Sequence, residues 1–238
     1  MPDPNDVFDA LLEETSLGSR GARQLRSRTP AVRARAVRAI PGWWHRYSDR
    51  LPHWFSTFVS LESAASLIRT YELYFVPGLL QTDAYARAVI QHGMVGATEA
   101  DIDRRVEVRL ERQKLLVTED APQLHVVLDE AALRRPYGNR ETMRDQIRHL
   151  IEMSQWENVQ LQVLPLNFCG HPSGCGAFTI MSLPDLPDIV YLEQLTSALY
   201  LEGHQEVAQY RKVLTELQEE SPDPDESRNL LGDLLFRS

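Results

Sequence analysis

An α+β fold, with a helical N-terminal half packed on a small mixed β-sheet and helices closing the C-terminus, is what this 238-residue sequence predicts. Three observations lead there. Up to residue 117 the apolar side chains recur three and four apart, the period of an amphipathic helix. From residue 124 the pattern changes to short apolar or alternating runs (124–130, 159–165, 176–184, 188–195 and 198–202) of strand type. Helical patterns over 204–219 and 226–236 then end the chain.

Taken in order, residues 4–15 read as a short helix capped by Asn5 or Asp6, and 16–28 as irregular. Thr29-Pro30 gives the N-cap and N1 proline of a helix to Ile40, which Pro41-Gly42 ends. Residues 1–41 are therefore read as a short Arg-rich segment and 42–238 as one larger domain. Trp43, Trp44, Tyr47 and Trp54 supply aromatic anchors. Trp54, Phe58, Leu61, Ala65 and Ile68 share one face of a helix, with Glu62 and Arg69 off that stripe and two turns apart. A short extended piece leads to Val76-Pro77-Gly78, a corner, since the residue before proline is held extended. Thr82 caps a helix from Asp83 to Gln91, and Thr98 caps another from Glu99 to Val117. Ile102, Val106, Leu110 and Leu116 mark the buried side of the latter. Asp103, Arg104, Glu107, Glu111, Arg112 and Lys114 suit a solvated face.

The run 124–130, a turn, an amphipathic helix over 141–156 and the alternating 159–165 make a strand–helix–strand unit, hence one parallel pair. The short link between 176–184 and 188–195 implies an antiparallel hairpin.

Composition excludes several classes. No run of about 18 apolar residues occurs, so no membrane span is expected, and the N-terminus has no secretory signal pattern. Two cysteines without such a signal point to a reducing, cytoplasmic setting. The net charge of −9 opposes binding of nucleic acid by the chain as a whole. Seven arginines nevertheless lie between Arg20 and Arg38 with no acid among them. From residue 39 onward 18 basic side chains face 29 acidic ones. That basic collar can meet phosphates, an acidic partner or the chain's own acidic body.

For chemistry, Cys169, His171 and Cys175 are zinc ligands in kind, but no second ligand pair stands nearby, and neither a metal nor a cofactor is expected. The glycine-rich loop that carries them reads as a candidate pocket rim. Glu193 shares an alternating face with Ile189, Tyr191 and Leu195. A carboxylate there either faces water at an edge or is buried with a partner. Asp129 and Glu130 form an acid-base pair, or Asp129 simply caps the turn 130–135. The common nucleotide-binding and hydrolase motifs are not found.

A family likeness rests on Gly42-Trp43-Trp44, Leu61-Glu62-x-x-Ala65, Tyr71-Glu72, the run VPGLLQT from Val76 to Thr82, Tyr85-Ala86-Arg87, Arg112-Gln113, Leu128-Asp129-Glu130, Leu164-Pro165 and Tyr191-Leu192-Glu193. In that order they resemble the domain of unknown function that follows Xre-type helix-turn-helix domains in actinobacterial transcriptional regulators, over about residues 42–236. The resemblance implies a sensor or partner-binding module behind a DNA reader. Only about forty residues precede the likeness, too few for a complete helix-turn-helix unit, so sequence-specific DNA binding by this chain alone is not expected.

Two functions follow. One is a regulatory domain that senses an apolar or amphipathic small molecule or binds a protein partner. The other is an enzyme that uses the same pocket for acid/base chemistry, such as cyclisation or isomerisation of an apolar secondary metabolite. The candidate ligand contacts are Glu62, Arg69, Gln81, Tyr85, His125, Glu130, His171, Tyr191 and Glu193.

Overall fold

The computed structural model describes residues 53–168, 176–184 and 186–237. The expected helices before residue 41, the arginine collar, Trp43, Trp44, Tyr47 and the Cys169–Cys175 loop lie outside the described residues. Within them the fold is α+β, as its sequence predicts.

One six-stranded mixed sheet organises the domain, in the order β3-β2-β1-β4-β5-β6. Its strands are β1 (Leu67–Glu72), β2 (Gln123–Asp129), β3 (Val159–Leu164), β4 (Phe178–Ser182), β5 (Ile189–Glu193) and β6 (Ala198–Leu201). β1, β2 and β3 run parallel, while β4, β5 and β6 follow as antiparallel neighbours. The parallel pair and the hairpin thus form where the spacing of the runs implied them.

β1 is the correction. The helix α1 (His53–Ala64) stops well before Ile68, and Leu67–Glu72 becomes a central strand paired on both edges. Phe58, Leu61, Ala65 and Ile68 keep helical spacing by accident across this break. Ile68, Thr70 and Tyr71 are β-branched or aromatic, and buried pairing on both sides decides their state. Glu62 and Arg69 are therefore not helical neighbours.

Successive residues of β1 face opposite sides of the sheet. Tyr71, with Val127, Leu164, Phe178, Ile180 and Val190, packs beneath α6 (His204–Glu220) through Val207, Leu214 and Leu217. The other face carries Ile68, Thr70 and Glu72, with Leu124, Val126 and Leu128 beside them. There Phe58 of α1 packs on Tyr191 of β5 with ring centroids 4.3 Å apart and the planes tilted by 38°.

Three more helices cover the site's end of this face: α2 (Asp83–Gly93), α3 (Glu99–Gln113) and α5 (Arg140–Met153). Thr82 caps α2, Thr98 and Asp101 form a capping box on α3, and Asn139 caps α5. The short α4 (Glu130–Arg134) begins on the Asp129 cap, which resolves that residue as a helix start. α3 gives way to a 3-10 turn over Lys114–Val117. The last helix, α7 (Pro224–Arg237), covers β3, and its Ser227 hydroxyl accepts from the Val163 amide at 3.0 Å. The sheet edge is closed there.

Candidate functional site

Two polar constructions meet at the C-terminal end of β1. The first is the corner from Val76 to Thr82, where the chain must leave the sheet and turn into α2. A buried corner strands backbone donors and acceptors unless side chains meet them. The Tyr85 hydroxyl accepts from the Val76 amide at 3.2 Å, and Gln81 Nε2 donates to the Val76 carbonyl at 2.6 Å. Gln113 Nε2 donates to the carbonyls of Gly78 and Gln81 at 3.0 and 2.7 Å. Gln146 donates to the Leu80 carbonyl at 2.7 Å and accepts from the Thr82 amide at 2.8 Å. Gln81, Tyr85 and Gln146 are fully buried.

α3 supplies the next layer. Arg109 Nη1 donates to Gln81 Oε1 at 2.8 Å. Arg112 grips both oxygens of Glu62 at 2.8 and 2.7 Å, and both side chains are buried. Burial depresses the Arg112 guanidinium, but the Glu62 carboxylate more than offsets this, and the net shift is upward. The Arg112 guanidinium also lies 5.2 Å from the ring centres of Phe55 and Phe58. Arg112 is thus an interior residue, where the charge pattern of α3 placed it on the solvated face. Gly78 takes no left-handed conformation. A Cβ there would stand 3.4 Å from Arg112 Nη1 and 3.6 Å from Arg109 Nε, ordinary contact with the ends of two long side chains.

The second construction is a cavity of about 960 Å³ beside that corner. Its floor is the end of the sheet. Glu72 ends β1, Glu193 ends β5, and β4 runs between them. The registers Thr70–Thr179 and Thr179–Tyr191 place both acids on one face, about 10 Å apart at the backbone from two strand spacings. Extending those registers by two residues sets Ala177 between them, a small side chain that leaves room above it. Tyr74, Phe75, Val89, Ile90, Met94 and Tyr137 give apolar and aromatic walls, and α3 adds Arg105 and Arg109, one turn apart.

The charges here are unsettled in a way the corner's are not. Glu72 makes no hydrogen bond or ion pair among the described residues. Its burial, and secondarily the Glu193 carboxylate, push its pKa up to about 8 against a smaller pull from Arg109. Burial and then the neighbouring Arg112 bring Arg109 down to about 10, still cationic at neutral pH. Glu193 is exposed and accepts from the Tyr191 hydroxyl at 3.0 Å. Burial first and Glu193 second raise the Tyr191 phenol, so it stays protonated as a donor. The arrangement can hold a polar group between the Glu72 and Glu193 side chains and two guanidinium groups.

Residues 55–233 match the model of a family described as a domain of unknown function, DUF5753. The chain belongs to this family. No curated protein and no solved structure matches it.

The DUF5753 match spans the corner and the cavity together. Of the residues singled out from the sequence, Tyr191 and Glu193 line the cavity. Glu62, Gln81 and Tyr85 hold the corner through the bonds above. Glu130 clasps the exit of β3, accepting from Arg134 Nε at 2.7 Å and the Leu166 amide at 2.9 Å. Arg69 lies on the opposite sheet face, bonded to Asp188 at 2.7 Å and Ser182 at 3.0 Å. His125 is its register partner there, its pKa lowered by burial and then by Arg69. His171 is outside the described residues. Glu72, Arg105 and Arg109 are the cavity residues that sequence reasoning missed. The i, i+4 spacing of the two arginines was the one available signal.

Among the described residues no cluster of three or more His, Cys, Asp or Glu side chains has metal-site geometry. No helix among them is long and apolar enough to cross a membrane.

Proposed function

We propose that this DUF5753 domain binds an amphipathic small molecule in the cavity at the end of β1 and β5, as the sensing part of a regulator of the Xre-associated kind. One observation carries the binding half: an open cavity of about 960 Å³ with mixed apolar and polar walls is lined by Glu72, a carboxyl group without a hydrogen-bond or ion-pair partner among the described residues. That volume is at the upper end of drug-sized ligand pockets, and a few convergent polar groups in an apolar setting are their usual composition. The sequence resemblance to domains behind Xre-type DNA readers supports the regulatory half.

An enzymatic reading has its own support in the two acids. Glu72 is neutral at pH 7 and Glu193 is the exposed, hydrogen-bonded partner, so the pair can present an acid and a base to one bound molecule. Native mass spectrometry of the purified protein tests both readings. A retained small molecule, released, re-added and compared by chromatography, comes back unchanged if the domain is a sensor. Recovery of a rearranged isomer on re-addition identifies catalysis, and failure of any amphiphile to bind removes both readings.

A further inference from the structure

Most of the buried and half-buried arginines described outside the cavity have an anionic partner in ion-pair contact. Arg112 has Glu62 at 2.7 Å and Arg69 has Asp188 at 2.7 Å. The two arginines of the cavity depart from this rule. Arg109 is bonded to Gln81, a neutral amide, and Arg105 has no hydrogen bond or ion pair among the described residues. Both are partly buried and both line the cavity. A guanidinium partly withdrawn from water with no carboxylate in ion-pair contact is costly, and a pair of them, on one helix face a turn apart, is more so.

We propose that the cavity takes an anionic amphiphile whose oxyanion head, a carboxylate or sulfonate, is held by the Arg105 and Arg109 guanidinium groups while its apolar body lies against Tyr74, Val89, Ile90 and Met94. The inference rests on the cavity being a ligand site and specifies what that ligand carries. The planar forks of the arginines match an oxyanion in geometry as well as charge. Neutral Glu72 can then donate to the same head group, where an ionised carboxylate would repel it.

Two dyes with the same ring system test this. 8-Anilino-1-naphthalenesulfonate is anionic, and N-phenyl-1-naphthylamine lacks the sulfonate. Both are titrated by fluorescence into the full chain, and the ratio of their affinities is the readout. Arg105→Gln, which breaks no hydrogen bond among the described residues, is expected to weaken the anionic dye about ten-fold and leave the neutral one within about two-fold. Glu193→Gln is expected to move the ratio the other way by removing the opposing carboxylate. Circular dichroism establishes that each variant is folded. A ratio unchanged by Arg105→Gln, with both dyes bound, overturns the oxyanion site and leaves the cavity as a ligand site. Binding of neither dye overturns the cavity reading itself.

Discussion

The corner and the cavity adjoin along α3, yet they treat polar groups in opposite ways. From Val76 to Thr82 the buried carbonyls and amides are answered by Gln81, Gln113, Gln146 and Tyr85, and Arg112 is answered by Glu62. In the cavity Glu72 and Arg105 have no such answer among the described residues, and Glu72 titrates far from its ordinary range. Hydrogen bonds that close on themselves specify a shape, because each omission leaves a desolvated group. Charges left open toward a cavity specify a ligand, because a molecule from outside must complete them. Arg109 belongs to both, bonded to Gln81 on one side and facing the cavity on the other.

The largest test of the contrast is Glu62→Gln. It leaves the buried Arg112 guanidinium without its counter-charge, and the expected loss is about 3–5 kcal/mol of unfolding free energy, read from the urea midpoint. A loss below about 1 kcal/mol would mean that water reaches Arg112 and that the corner is not closed. Next comes Gln146→Leu, nearly equal in volume, which strands the Leu80 carbonyl and the Thr82 amide together. About 2–4 kcal/mol of destabilisation is expected from two unsatisfied buried groups, measured the same way. Neither substitution removes a cavity side chain. In the folded fraction, the affinity for the anionic dye should therefore stay within about two-fold.

How far the sequence reveals each region follows from where the determinants lie. The corner is local: Pro77 fixes Val76 as extended, Thr82 caps α2, and the run VPGLLQT can be read as one object. Caps at Thr98 and Asp129 are equally local and place two more helices. β1 is not, since its strand state comes from β2 and β4, 56 and more residues away in register, while its own apolar spacing continues that of α1. The cavity is least local of all. Glu72, Arg109 and Glu193 come from β1, α3 and β5, and only the sheet order brings β1 and β5 to either side of β4. Glu193 could be noticed because a carboxylate in an alternating apolar strand is itself unusual. Arg105 and Arg109 look like solvated charges until the helix carrying them is set over the sheet.

Glu72→Gln gives the smallest effect and the sharpest one, because it depends on pH. The folded-state pKa of Glu72, about 8, lies above the ordinary value of 4.5 that the unfolded chain approaches. The folded state therefore binds more protons through this window, and stability falls as pH rises from about 4.5 to about 8, then levels. Glutamine keeps the shape of the protonated acid and cannot ionise. At pH 5 the variant and the parent should unfold together. By pH 8.5 the variant should be the more stable, by on the order of 1–2 kcal/mol after allowance for screening by water in the cavity, or a melting temperature about 2–8 °C higher. All other titrating groups are common to the two chains, so the difference between their pH curves isolates Glu72. Parallel curves from pH 5 to 8.5 would show that Glu72 is ionised at neutral pH like a surface carboxylate. The open, uncompensated character of the cavity would then be lost, and with it the contrast to the corner beside it.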